Sequence, residues 1–317
     1  FFQAEDGIRD VAPSRGLGMC IRDRINAKPY LSDPYFYRGL AKINLDDFQG
    51  AESDCSEAIE RNPFVVSAYQ VRGLARIQQN NFAGAIEDYT KALEFDPENI
   101  GVWHNMALCR IRQEDYKGAK NDLDKLIAIS PRYTKAYLMR GEVDLKQKDT
   151  LAAEKDFGKA IEIDRYDADT WASRAILRLQ QQRYKDAEAD FDHAIRLSTR
   201  NSGVYINRAL ARYHQNNLRG AMSDYDIALD IDPNNFIGHY NRGLLRAQVG
   251  DDNRAIQDFN FVIEMEPDNM MAIFNRGLLL DQTGDYKGAI KDYSTVINEY
   301  PNFLLGYQYR ACLLYTS

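Results

Sequence analysis

The chain has 317 residues, of which 40 are Lys or Arg and 47 are Asp or Glu, so its net charge at pH 7 is −7. With 44% hydrophobic and 27% charged residues, the composition is that of a folded chain with an apolar core. No apolar run approaches the roughly 18 residues that a membrane-spanning helix needs, which argues against membrane insertion. The acidic balance argues against nucleic-acid binding, which requires a surplus of Lys and Arg on one face.

Most of the nine prolines fall on a grid with a period of 34 residues. A fixed period of this size is typical of repeat proteins, in which each unit packs against its neighbours. The grid prolines are Pro29, Pro63, Pro97, Pro131, Pro233, Pro267 and Pro301. Counting the grid proline as position 32, eight complete repeats occupy residues 32–303. They begin at Ser32, Val66, Ile100, Thr134, Ala168, Ser202, Phe236 and Met270.

Each repeat contains two stretches with helical spacing of apolar residues. In the second repeat, Tyr69, Gly73 and Ile77 lie on one face of a first helix, and a second helix is predicted to begin near residue 82. Between the two stretches, position 15 is occupied by residues such as Asn80 and Gly250, which favour a left-handed turn. Positions 8 and 20 are always small, which allows two helices to approach closely. The sequence therefore predicts an all-α fold built from antiparallel helix pairs.

The repeat pattern resembles the tetratricopeptide repeat (TPR) family. The resemblance rests on the small residues at positions 8 and 20 and on Pro at position 32. It rests also on aromatic residues at three positions. These are position 4, as in Trp103 and Trp171, position 17, as in Tyr286, and position 24, as in Tyr293. The resemblance implies an α-solenoid, a right-handed superhelix of antiparallel helix pairs whose first helices line a concave groove. It also implies a non-catalytic scaffold that binds other proteins.

Both ends of the chain depart from the repeat pattern. Residues 1–10 can be back-translated into a string that resembles a sequencing-library primer. Residues 19–24 and 312–317 can be back-translated into two strings that are reverse complements of each other, as in transposon-end adaptors. We therefore expect residues 1–24 and 312–317 to be adaptor-derived and outside the fold, with a TPR array over residues 25–311 that includes partial repeats at both ends. Without a native start no targeting signal is readable, so the cytoplasm and the periplasm both stay open.

Two positions of opposite charge recur through the repeats. Position 23 is Asp in all eight complete repeats, and position 7 is Arg in every one except the third, which has Met106. We predict a structural ladder of Arg–Asp pairs between packed helices, because a guanidinium group can bind a carboxylate through two parallel hydrogen bonds. A ligand site at the same residues is the alternative. The predicted ladder consists of Arg72, Arg140, Arg174, Arg208, Arg242, Arg276, Asp88, Asp156, Asp190, Asp224, Asp258 and Asp292.

A row of asparagines at position 6 predicts a binding groove on the first helices. An amide side chain offers both a donor and an acceptor, so such a row can bind the backbone of an extended peptide whatever its sequence. The row consists of Asn105, Asn207, Asn241 and Asn275. Aromatic residues at positions 5 and 6 add candidate anchors, because aromatic side chains concentrate binding energy at interfaces. These candidates are Tyr37, Tyr240 and Phe274. The alternative is that the asparagines bind only water.

No residue pattern points to catalysis, to a cofactor or to a metal. The four histidines occupy different repeat positions without the His-Glu-x-x-His spacing of a zinc site. Cys55 and Cys109 occupy helix-interior positions without a spaced partner. We therefore expect no catalytic residue, no cofactor and no metal.

These observations favour a protein-interaction scaffold that binds a peptide segment of a protein partner whose identity the sequence does not reveal. Two alternatives remain open. The first alternative is that the array is the recognition arm of a larger enzyme, such as a glycosyltransferase or a signalling kinase, whose catalytic domain lies outside these residues. Alternatively, it is a structural subunit that self-assembles, because the ends of a repeat stack expose apolar faces.

Overall fold

The computed structural model describes residue 21 and residues 23–198 and 200–316, and all regular secondary structure in these ranges is helical. Most of the predicted adaptor segment 1–24 therefore lies outside the described residues. Seventeen helices follow one another from Asp33 to Thr316. They are α1 (Asp33–Ile43), α2 (Phe48–Arg61), α3 (Val66–Gln78), α4 (Phe82–Phe95), α5 (Ile100–Arg112), α6 (Tyr116–Ile129), α7 (Thr134–Lys146), α8 (Thr150–Ile163), α9 (Ala168–Gln180), α10 (Tyr184–Leu197), α11 (Ser202–His214), α12 (Leu218–Ile231), α13 (Phe236–Gln248), α14 (Asp252–Met265), α15 (Met270–Gln282), α16 (Tyr286–Glu299) and α17 (Leu304–Thr316).

The two helices of each repeat are joined by a turn of constant geometry, as the sequence predicted. Position 15 has a positive φ in all eight complete repeats, from +59° at Asp46 to +87° at Gly284. The side chain at position 16 then caps the second helix in most repeats. In the first repeat, for example, Asp47 Oδ1 accepts a hydrogen bond of 2.9 Å from the backbone N–H of Gly50. The prediction of one helix pair per repeat is confirmed.

The chain divides into two compact units, and the boundary in the sequence lies between Ile163 and Asp164. The first unit contains α1–α8 and the second contains α9–α17. In each unit, consecutive helices pack against each other, and the first helices of some successive repeats also touch, as α13 and α15 do. Helix α17 continues through residues 312–316, where Leu313 packs against the core of the last repeat. The assignment of residues 312–317 to an adaptor stays a prediction.

Small residues hold the two helices of each repeat together. The alanine at position 20 is 0% exposed in all eight complete repeats. Position 8 lies against the side chain at position 24, and a Cβ atom added to Gly141 would lie 2.5 Å from Cε1 of Phe157. The small residues that the sequence singled out are therefore required by direct contact between helices.

We expect Gly141→Ala to destabilise the protein by about 1–3 kcal/mol, because the added methyl group overpacks the contact with Phe157. Gly158 in the neighbouring helix α8 is a matched control, since an added Cβ there meets nothing within 4 Å. Gly158→Ala should stabilise the helix by about 0.5–1 kcal/mol. Urea unfolding followed by circular dichroism measures both variants. Equal unfolding midpoints for the two would contradict this account of position 8.

Candidate functional site

The predicted ladder residues contact each other within each repeat. In the sixth repeat, Arg208 Nη2 lies 2.6 Å from Asp224 Oδ1 and Arg208 Nε lies 3.0 Å from Oδ2. The carboxylates at position 23 are at most 6% exposed. Equivalent two-point contacts occur in the pairs Arg38–Asp54, Arg72–Asp88, Arg140–Asp156, Arg174–Asp190, Arg242–Asp258 and Arg276–Asp292.

The same arginines also link neighbouring repeats. Arg208 Nη1 lies 2.7 Å from Oδ1 of Asp192, which occupies position 25 of the preceding repeat. Corresponding contacts of 2.6–3.1 Å join Arg72 to Ser56, Arg140 to Asp124, Arg242 to Asp226 and Arg276 to Asn260. Each of these guanidinium groups therefore spans three helices. The third repeat, which has Met106 at position 7, lacks an arginine to make this link.

A second cation, at position 11, completes the ladder and was missed in the sequence. Arg212 Nη1 lies 2.8 Å from Asp224 Oδ2, so this buried carboxylate binds two guanidinium groups. Arg212 Nε also lies 2.7 Å from Glu188 in the preceding repeat. The available signal was the recurrence of a basic residue at position 11. Its members are Lys42, Arg76, Arg110, Arg178, Arg212 and Arg246.

One link between repeats has its charges reversed. At position 11 of the fourth repeat stands Asp144, which is 1% exposed, and Lys120 Nζ lies 2.5 Å from its Oδ1 atom. Between the fifth and sixth repeats the same two positions are Glu188 and Arg212. The hydrogen bond to Asp144 raises the pKa of Lys120, so the lysine stays charged at neutral pH. The geometry of this contact is thus compatible with an acidic residue at position 21 and a basic one at position 11, or with the reverse.

The aromatic residue at position 4 forms a hydrogen bond to the backbone of the loop that precedes its helix. Trp103 Nε1 donates a hydrogen bond of 2.8 Å to the carbonyl oxygen of Pro97. Tyr137 and Trp171 make the equivalent bonds. In the seventh repeat His239 replaces the aromatic, and its Nε2 and Nδ1 atoms lie 3.1 Å from Pro233 O and 2.9 Å from Asp258 Oδ1. Burial opposes ionisation of Asp258, but hydrogen bonds from His239 and Arg242 outweigh it and lower the pKa of this carboxyl.

The predicted asparagine row is half-buried on the first helices. Asn105 lies on α5 in the first unit, whereas Asn207, Asn241 and Asn275 lie on α11, α13 and α15 of the second unit. Asn275 Nδ2 donates a hydrogen bond of 3.2 Å to Tyr240 Oη, which links α15 to α13. The structure thus brings two of the predicted groove residues into direct contact.

The three predicted aromatic anchors occupy different environments. The side chain of Tyr37 is 55% exposed on α1 in the first unit, and Tyr240 is half-buried beside Asn275. Phe274 is only 6% exposed and packs edge-on against Phe303 and Tyr309 in the core of the last repeats. A ring enclosed by its neighbours cannot serve as an anchor for a ligand, so the assignment of Phe274 to the groove is corrected.

Exposed apolar side chains also lie on the same helices, although none of them is among the predicted groove residues. At position 2, Ile237, Met271 and Leu305 are 50%, 45% and 47% exposed, and Leu244 at position 9 of α13 is 39% exposed. These residues flank the asparagines on the first helices of the second unit. The signal was the change at position 2 from polar or glycine residues in the first six repeats to apolar residues in the last three.

The described residues contain no cluster of side chains suited to a metal ion and no helix with the length and apolar character to cross a bilayer. The guanidinium and carboxylate groups of the ladder form most of their hydrogen bonds with each other and with neighbouring side chains of the protein. Together with the helix pairs, this arrangement defines an α-solenoid repeat protein.

Sequence models described as TPR repeat or tetratricopeptide repeat match residues 73–109, 100–133, 134–167, 173–236 and 240–302. The chain belongs to the tetratricopeptide repeat family, whose general role is that of a non-catalytic scaffold for protein interactions.

Solved TPR structures share this fold. A TPR protein from Parabacteroides merdae is 21% identical, with a TM-score of 0.59 over 78% of this chain and 98% of that chain. The C-terminal part of a TPR protein from Cytophaga hutchinsonii is 17% identical, with a TM-score of 0.61 over 74% and 97%. The Cut9–Hcn1 hetero-tetramer of APC/C is 11% identical, with a TM-score of 0.58 over 95% and 59%. No curated protein matches the chain.

Proposed function

We propose that the second unit binds an extended peptide segment of a partner protein on the surface of its first helices. The observation that carries the proposal is the asparagine row on α11, α13 and α15, flanked by exposed apolar side chains such as Ile237 and Leu244. Ligand sites of this kind combine apolar surface with a few polar groups that fix the ligand's orientation. Asn275 uses its Nδ2 group to bind Tyr240, which leaves its Oδ1 atom to accept a hydrogen bond from a peptide N–H.

The family supports the same function at a coarser level. Among the structures that share this fold, Cut9–Hcn1 is a hetero-tetramer and so contains a TPR chain assembled with a different protein. An amide row binds backbone rather than side chains, so the asparagines would contribute affinity and the apolar residues would select the peptide sequence.

The test uses peptides selected from a random displayed library on the full chain. Their affinities are then measured by fluorescence polarisation for the wild type and for the triple variant Asn207→Ala, Asn241→Ala, Asn275→Ala. We expect the triple variant to bind about ten-fold or more weakly, because three hydrogen bonds are lost.

A second triple variant controls for the loss of amides as such. Asn121, Asn253 and Asn298 are exposed on second helices, away from the proposed surface. Their replacement by Ala should leave the affinity unchanged. Equal binding by both triple variants would refute the groove.

A further inference from the structure

In the sixth to eighth repeats, the edge where second helices end and the next first helices begin is both acidic and apolar. We call it the acidic edge. Its exposed carboxylates are Asp230, Glu264, Asp268 and Glu299. Its exposed apolar side chains are Ile237, Met265 and Met271, which are 45–53% exposed. Consecutive loops are adjacent here, because Tyr300 Oη donates a hydrogen bond of 3.3 Å to the carbonyl oxygen of Asp268.

Two carboxylates of the acidic edge, Asp230 and Glu264, lack the lysine that accompanies the carboxylate at the same position in two repeats of the first unit. There, Lys91 Nζ lies 2.9 Å from Glu94, and Lys159 Nζ lies 2.8 Å from Glu162. These pairs join positions 26 and 29 of one repeat. In the sixth to eighth repeats position 26 is Ile227, Phe261 and Thr295. Within the described residues, none of the four edge carboxylates forms an ion pair.

The remaining basic residues of these repeats lie elsewhere. Five arginines belong to the ladder at positions 7 and 11. The other cations are Arg219, Arg254, Lys287 and Lys291. These four stand in the first two turns of the second helices, about 15 Å along the helix from the acidic edge. The four edge carboxylates therefore have no basic residue of their own repeats at the same end of the helix, whereas the exposed residues at this edge of the fifth repeat, Arg196 and Arg200, are basic.

This arrangement is unfavourable for the isolated chain. Asp230, Glu264 and Glu299 lie in the last turns of α12, α14 and α16, none of which has a basic residue in that turn. Carboxylates at a helix C-terminus oppose the helix dipole, which favours cations at that end. The exposed apolar side chains are likewise unfavourable in water. A partner that is both basic and apolar would relieve both effects.

We propose that the acidic edge binds a basic amphipathic segment of a partner protein. Lys and Arg side chains of the segment would pair with the four carboxylates, and its apolar face would cover Ile237, Met265 and Met271. Anionic lipids and nucleic-acid phosphates would be repelled by the same carboxylates, so the partner is a protein. The acidic edge shares Ile237 and Met271 with the surface that flanks the asparagine row, but it does not include the asparagines. Replacement of its carboxylates therefore tests this proposal separately from the peptide groove.

The test uses two synthetic peptides with the same pattern of leucines, one with lysine and one with glutamate at the polar positions. We expect the full chain to bind the Lys/Leu peptide, with an affinity that falls as the salt concentration rises. The edge variant Asp230→Asn, Glu264→Gln, Asp268→Asn, Glu299→Gln should bind it about ten-fold more weakly, since several weak exposed ion pairs are lost together.

Four carboxylates at related positions of the first unit provide the matched control. They are Glu60, Glu94, Glu98 and Glu162, all exposed. Their replacement by Gln should not change binding, nor should the triple replacement of the asparagine row. The edge variant should also unfold at a higher urea concentration, because charges that oppose the helix dipoles are removed. Failure to bind the Lys/Leu peptide, equal affinity for the Glu/Leu peptide, or full affinity in the edge variant would each overturn the proposal.

Discussion

Replacement of Asp224 by Ala is expected to lower the free energy of unfolding of the second unit by about 3–5 kcal/mol. The carboxylate is 1% exposed and is the shared partner of Arg208 and Arg212, with contacts of 2.6–3.0 Å. Its removal leaves two mostly buried guanidinium groups without their main counter-charge. The loss is therefore much larger than that of an exposed ion pair.

The measurement is urea unfolding followed by tryptophan fluorescence. The chain has two tryptophans, Trp103 in the first unit and Trp171 in the second. In a Trp103→Phe background, the remaining fluorescence reports the second unit alone.

Asp192→Ala is the matched control for Asp224→Ala. Asp192 also binds Arg208, but its side chain is 41% exposed. Its replacement should cost only about 0.2–1 kcal/mol. If Asp224→Ala costs no more than Asp192→Ala, the buried Arg–Asp pairs do not stabilise the helix pairs and the hypothesis is wrong.

The second large effect is expected at the reversed pair between the third and fourth repeats. Asp144→Arg should destabilise the first unit by about 3–5 kcal/mol, because it breaks a buried pair and places a second cation beside Lys120. Trp103 fluorescence in a Trp171→Phe background reports this unit.

The double variant Lys120→Glu, Asp144→Arg should recover most of that loss. It restores the order of charge found at Glu188 and Arg212, where the two groups lie 2.7 Å apart. The introduced guanidinium would also come within reach of Asp156, as Arg212 does of Asp224. The exposed pair Lys159–Glu162 is the control, and its reversal should cost less than about 1 kcal/mol. A double variant no more stable than Asp144→Arg would show that local packing, and not charge, decides the contact.

The helix pairs were predictable from the sequence because they depend on short-range regularities. A turn residue at position 15 and small residues at positions 8 and 20 act within one repeat, and they recur at a period of 34 residues. The pairing of Arg208 with Asp224 was predictable for a related reason. Both residues recur at fixed positions on two helices that must pack against each other.

The second cation of the ladder was harder to predict, although it also recurs. Arg212 contacts Glu188 in the preceding repeat, and no spacing within one repeat indicates which residues of two repeats will meet. The burial of Phe274 could not be predicted for the same reason, because it depends on residues outside the helix pair that contains Phe274. Its burial comes from Phe303, in the loop that ends the eighth repeat, and from Tyr309, in the helix that follows it.

The sequence by itself determined the all-α fold, the number of complete helix pairs, the left-handed turns and the family. These features follow from residue preferences that act over a few positions and are repeated along the chain. Only the tertiary structure decided which charges are neutralised and which apolar side chains stay exposed. Asp224 and Glu264 are both acidic residues on second helices, yet one is buried between two arginines and the other is exposed without an ion pair among the described residues. The physical reason is that burial and ion pairing depend on the neighbouring helices, which a single repeat does not specify.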